Sequence, residues 1–164
     1  MRTLLALVLI NAVVPLCAYA QDQVVAVSAG PEGTAQLTLR DGSTITISKE
    51  RGQVGISDAR IAPDGTMGWL ADFHVETVSY PVAGTLIVWR TGKIIRRFPT
   101  AQVFYSWTFH AQGKQVAYHT GPLHGERMAH CELHDVASGR TLAVWDGDLR
   151  LRDNRPAWTE GLSR

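Results

Sequence analysis

Leu86-Ile87-Val88-Trp89-Arg90-Thr91-Gly92-Lys93-Ile94-Ile95-Arg96-Arg97-Phe98 reads as two extended segments folded about Thr91-Gly92. β-Branched and aromatic residues fill both arms, and the glycine supplies the positive φ that a tight turn requires. Upstream, Ala35, Leu37 and Leu39 alternate with polar neighbours, Asp41-Gly42 makes a second turn, and Ile45 and Ile47 resume the alternation. The apolar period is two, the signature of strands with one covered face. Outward from these hairpins the same reading predicts strands over Val24 to Ala29, Met67 to Asp72, Thr85 to Arg90, Lys93 to Phe98, Val103 to Phe109, Gln115 to Thr120, Arg127 to Val136 and Thr141 to Trp145. Turn chemistry separates them at Pro63-Asp64-Gly65, Gln112-Gly113, Gly121-Pro122, Ser138-Gly139 and Asp146-Gly147. No helical period appears beyond the first twenty residues, so the chain is expected to be all-β.

The hairpins recur. Ile61-Ala62-Pro63-Asp64-Gly65 ahead of a strand aligns with Phe109-His110-Ala111-Gln112-Gly113, the glycines 48 positions apart. The turn at Gly92 aligns with that at Gly139 at a spacing of 47, and with that at Gly42 at a spacing of 50. Ala157-Trp158-Thr159 echoes Ser106-Trp107-Thr108 at a spacing of 51. Two alternating hairpin types every 50 residues or so make a four-stranded unit. With its Pro-Asp-Gly turn at 63–65 and Thr-Gly-Lys turn at 91–93, the segment from about 35 to 146 resembles a TolB-like or WD-repeat β-propeller. The resemblance implies short antiparallel sheets of blade type, about three repeats, and a role in protein contacts. A β-sandwich or barrel is the alternative, since Gly-turn hairpins recur in any antiparallel protein.

Residues 1–20 stand apart. One cation at Arg2, an apolar run from Leu4 to Val14 broken only by Asn11, then Pro15 and Ala18-Tyr19-Ala20 have the layout of a secretory signal peptide. Cleavage after Ala20 is expected, placing the protein in a periplasm or outside the cell, with no membrane span thereafter. The run is shorter than the roughly 20 residues a spanning helix needs. The remaining residues 21–164 read as a single β-repeat domain, with units at about 21–55, 56–103 and 104–150 and a tail over 151–164. Removing Arg2 leaves 15 basic and 15 acidic groups, a formal charge of zero. That balance excludes the electrostatic footprint of a nucleic-acid binder. Cys131 is left as a lone cysteine, either buried or available for an intermolecular bridge.

Length adds an argument. Propellers close with about four to eight blades, and 144 residues supply three at most. The ring is expected to stay open, its terminal sheets exposing apolar flanks, or to be completed by a second copy. Either case predicts a protein partner or a homo-oligomer.

Two sets of side chains are candidates for a site. Between 119 and 134, His119, His130, Glu132 and His134 offer nitrogen and oxygen donors suited to zinc. His130, Glu132 and His134 fall on one face of an extended strand, and His119 from the preceding strand is the proposed third partner. The competing reading is a polar, solvent-facing strand whose histidines need no metal. Among the aromatic residues, Tyr105, Trp107 and Tyr118 are the candidate binding surface, against the alternative of packing between sheets. The sequence contains no Gly-x-Ser-x-Gly elbow, phosphate loop, His-Glu-x-x-His or Cys-x-x-Cys. The expectation is therefore a non-catalytic, exported binding or scaffolding module of the cell envelope, without a required cofactor. A periplasmic metal- or small-ligand-binding protein is the second reading and a hydrolase with a loop-built site the third.

Overall fold

The computed structural model describes residues 24–124, 128–151 and 154–163. The expected signal peptide and its cleavage site lie outside them, as does Arg127. The described chain is all-β, built as three short antiparallel sheets, none of them closed. Strands β1 (Val24–Ala29), β2 (Ala35–Leu39) and β3 (Thr44–Ile47) form the first sheet. The second contains β4 (Gln53–Ile61), β5 (Met67–Phe73), β6 (Val82–Arg90) and β7 (Lys93–Pro99). The third contains β8 (Val103–His110), β9 (Gln115–Gly121), β10 (Ala129–Asp135) and β11 (Thr141–Gly147). Each is a meander in chain order, an arrangement consistent with propeller-blade-like sheets and equally with a sandwich. Among the described residues no helix is long and apolar enough to cross a membrane.

The repeated glycines sit at equivalent turns. Gly65 and Gly113 lie between the first two strands of the second and third sheets, Gly92 and Gly139 between the last two, and all four have positive φ. Gly42 takes the same place in the first sheet, between β2 and β3. By that alignment the first sheet has no counterpart of β4 and β8 among the described residues. The unit boundary expected at 55 and 56 falls inside β4.

β4 itself was not among the predicted strands. Its residues depart from alternation because the pairing with β5 slips twice, between Gln53 and Gly55 and between Ser57 and Arg60, with Asp58 at a φ of 42°. Each slip is a bulge, which moves the following side chains to the opposite face. Gln53 anchors its start, donating from Nε2 to the Gly33 carbonyl at 2.6 Å.

The sheets stack in chain order, and the period of two decides what each face meets. Along β5 and β6, Met67, Trp69, Ala71, Ile87 and Trp89 point to Leu37 and Leu39 of the first sheet. Leu70, Leu86 and Val88 point the other way, to Phe104, Trp107, Val116 and Tyr118 of the third. The middle sheet is covered on both faces, which explains the unbroken run Leu86 to Trp89. Full burial of each leucine, isoleucine, valine, methionine or phenylalanine among them stabilises the fold by roughly 1.5–3 kcal/mol.

Trp107 packs closely against Gly68. A Cβ on Gly68 would stand 2.8 Å from its ring and 3.0 Å from the Ile87 carbonyl oxygen, so this close approach of strand to indole requires glycine. The Trp107 Nε1–H donates to the Asp58 carbonyl at 2.8 Å, and the Arg60 guanidinium lies 5.4 Å from the ring centroid. The bulge in β4 thus supplies the acceptor for the buried indole.

The two outer faces of the stack differ. On the outer face of the first sheet Gln36, Thr38, Thr44 and Thr46 lie beside Ser28 and Ala26, with Val25 half-exposed at the adjoining register shift, a mainly polar surface. The outer face of the third sheet is covered by the C-terminal segment, whose Leu149, Trp158 and Leu162 pack on Ala117, Cys131 and Leu133. Arg155 holds that segment by donating to the carbonyls of Leu149, Thr159 and Leu162. Ser106 Oγ donates to the Ser163 carbonyl at 2.8 Å and accepts from its N–H at 3.0 Å. Trp158, which echoes Trp107 in sequence, also packs on a neighbouring sheet, but from a single 3-10 turn (Ala157–Thr159) rather than a strand.

Candidate functional site

The histidine-rich segment forms a chain of partners along one face of the third sheet. His130 Nδ1 lies 2.7 Å from Asp146 Oδ1 and its Nε2 lies 3.1 Å from Glu132 Oε1. Glu132 Oε2 reaches His134 Nε2 at 2.8 Å, and that same nitrogen lies 2.8 Å from the Tyr118 hydroxyl. Alternation along β10 brings His130, Glu132 and His134 to one side, as the sequence implied. Yet the carboxylate sits between the two imidazoles and satisfies both. His134 is buried, stacked on Tyr118 with centroids 5.0 Å apart and edge-on to Phe98 at 5.1 Å. The picture of a wholly solvent-facing strand therefore fails at His134.

His119 does not join this set. Its register partner is Cys131, so it occupies the opposite face of the sheet. There it stacks on Tyr105, with centroids 5.0 Å apart, and its Nδ1 lies 3.1 Å from the Ser163 carbonyl. The four proposed ligands are split by the sheet. Among the described residues no group of three His, Cys, Asp or Glu side chains is placed to hold a metal ion.

Electrostatics in the network follow from its pairing. The hydrogen bond to Asp146 is the main cause of a raised pKa at His130, opposed by partial burial and helped by Glu132. Burial first, and the Glu132 charge second, push the Tyr118 hydroxyl well above its ordinary value. Burial pushes the Cys131 thiol up to about 12. Cys131 is fully buried, so the lone thiol is covered rather than available for an intermolecular bridge.

Of the three aromatic candidates, Trp107 at 0% exposure and Tyr118 at 6% belong to the core between the second and third sheets. Only Tyr105 reaches the surface, at 38% exposure. The cause is a bulge in β8. Pairing with β9 slips between Phe104 and Ser106, leaving Tyr105 without a register partner and placing Phe104 and Trp107 on the inward face together. Strict alternation would have put Tyr105 and Trp107 on one side. The Tyr105 ring is fixed by His119 stacked on it, by its hydroxyl donating to the Pro122 carbonyl, and by close approach to Gly121.

Tyr105 forms one wall of a cleft between the second and third sheets, at the end bearing the connections 74–81, 100–102 and 122–124. Leu70, Val82, Ala83, Val103, Phe104 and Leu123 line its apolar part, and Tyr80 closes the other side with 55% of its surface exposed. This cavity has a volume of about 380 Å³ and adjoins a second of about 480 Å³, which shares Val82, Val103 and Leu123 and extends past Phe73, Val75 and Pro122. Ser57, Asp58 and Asp72 supply the polar groups. Asp58 is paired with Arg60 at 2.9 Å. Asp72 accepts from the Ser57 hydroxyl at 2.8 Å, and partial burial raises its pKa above the usual carboxylate range despite that bond.

Sequence reasoning found Tyr105 and missed Tyr80, Ser57 and Asp72. Ser57 and Asp72 lie on strands whose pairing is irregular, and Tyr80 lies in a connection without periodicity. The only local signal was the long gap between strands at 73 and 82, since a loop of that length marks a place where function collects. Against known proteins, no family model matches the chain, and neither a curated protein nor a solved structure matches it.

Proposed function

We propose that this protein is an exported, non-catalytic binding module that engages a protein partner through the cleft between its second and third sheets. The observation that carries the reading is the pair of exposed tyrosines, Tyr80 and Tyr105, standing over an open apolar groove. Aromatic rings with few rotatable bonds present large contact area at low entropic cost, which is why they dominate protein interfaces. Tyr105 is already immobilised by its hydroxyl and its stacking partner. The groove is an open recess with a largely apolar lining. The blade-like sheets support kinship with degenerate TolB-like or WD-type repeats, and residues 1–20 support export to the cell envelope.

The metal-binding alternative is weaker, because His119 is separated from His130, Glu132 and His134 by the thickness of a sheet. Photo-crosslinking in the native cell tests the main reading. A benzoylphenylalanine at Tyr80 is expected to give a discrete protein adduct, whereas one at Thr38, on the polar outer face, gives none. No adduct at Tyr80, or equal adducts at both positions, would sink it. N-terminal sequencing of the recovered protein is expected to begin at Gln21.

A further inference from the structure

We infer that the cleft recognises a lysine or arginine side chain of the partner protein, with the Asp72 carboxylate as its counter-ion. The inference deepens the binding-module reading and rests on it. The chemistry lies in the mismatch between Asp72 and its neighbours. A half-buried carboxylate is costly unless hydrogen-bonded or paired with a cation. The other acid of the cleft, Asp58, has Arg60 at 2.9 Å. Asp72 has the Ser57 hydroxyl on Oδ1, while Gly55 beside Oδ2 contributes no side chain. Among the described residues no lysine or arginine lines either cavity.

The groove suits a side chain with an apolar stem and a cationic head. Leu70, Val82 and Leu123 offer the surface that methylenes cover. Tyr80 and Tyr105 flank the approach, and aromatic faces attract cations as well as stems. The adjoining cavity past Val75 and Pro122 leaves room for the residues flanking such a side chain, which favours a segment of protein over a free amine.

The test is a titration of the isotope-labelled protein, followed by amide NMR shifts, with three blocked tripeptides. These are acetyl-Leu-Lys-Leu-amide, acetyl-Leu-Arg-Leu-amide and acetyl-Leu-norleucine-Leu-amide. One or both cationic peptides are expected to give saturable shifts at Gly55, Asp72 and Tyr105, with the norleucine peptide about tenfold weaker. Asp72→Asn, which preserves shape and the Ser57 contact, should remove that preference. A preference for the cation that survives Asp72→Asn overturns the assignment of Asp72. Equal binding of the charged and norleucine peptides overturns cation recognition while leaving the cleft as a binding surface. Absence of cleft shifts with all three peptides overturns both readings. Should Asp72→Asn not fold, added salt on the unaltered protein decides the matter. Salt weakens the cationic peptides selectively if Asp72 pairs with them, and an affinity ratio unmoved by salt counts against the pairing.

Discussion

The histidine network and the tyrosine cleft both line the layer between the second and third sheets, and both place carboxylates beside aromatic rings. In the network each group lies against a polar partner: Asp146 meets His130, Glu132 meets His130 and His134, and the Tyr118 hydroxyl lies against His134. In the cleft, Asp72 has a hydroxyl and no cation, and Tyr80 and Tyr105 face solvent. The difference teaches that a density of ligand-type residues marks a structural network when each satisfies the next. Unfinished pairing beside open apolar surface is the better mark of a place for something else to bind.

The comparison breaks most visibly if the layer separating the two regions is removed. Trp107→Ala is expected to cost about 3–5 kcal/mol, the loss typical of deleting a buried large aromatic side chain. Gly68→Ala should cost about 1–3 kcal/mol, as overpacking against the same ring. Urea unfolding followed by circular dichroism measures both. A loss below about 1 kcal/mol at Trp107, approaching the scale of surface substitutions, would mean the layer is not packed as described.

Next in size is the contrast between the two carboxylates. Glu132→Ala strips partners from His134 and should destabilise the fold by about 1–3 kcal/mol. Asp72→Asn should leave stability at neutral pH unchanged or increased. A raised carboxylate pKa in the folded state means that ionisation opposes folding, so stability falls as pH rises from the unfolded value near 4 through the folded value. The advantage of Asp72→Asn should therefore shrink when melts are repeated at about pH 3. If Asp72→Asn destabilises as much as Glu132→Ala, the two regions are alike and the comparison fails.

The smallest expected effect belongs to His130, which is partly exposed. Its raised pKa gives stability that is fully present below about pH 6.5 and lost as pH rises through the folded value. His130→Gln should lower the melting temperature more at about pH 5.5 than at about pH 8.5. An equal loss at both values would show that the bond to Asp146 does not depend on charge.

Most strands could be located from alternation and turn residues alone. Glycines 42, 65, 92, 113 and 139 all occupy turns at positive φ, where their spacing had placed them. β4 was hidden by its two register slips, and the echo of Trp107 in Trp158 did not extend to the backbone, which forms a 3-10 turn there. For the site, Tyr105 was legible as an aromatic residue in a strand, but its exposure was not. His119 looked like a companion of His130 by proximity in sequence, whereas pairing with Cys131 turns it away.

Alternation, turn chemistry and spacing belong to neighbours in the chain, so the sequence by itself determined an all-β protein of recurring hairpins. Tertiary structure decided which faces are covered. A single unpaired residue at Tyr105 inverts the phase of β8, and covering of the outermost sheet depends on Arg155 binding carbonyls of its own segment. Asp72 meets the third sheet across a gap that only the stacking creates. These outcomes rest on contacts between residues distant in sequence, where local periodicity carries no information.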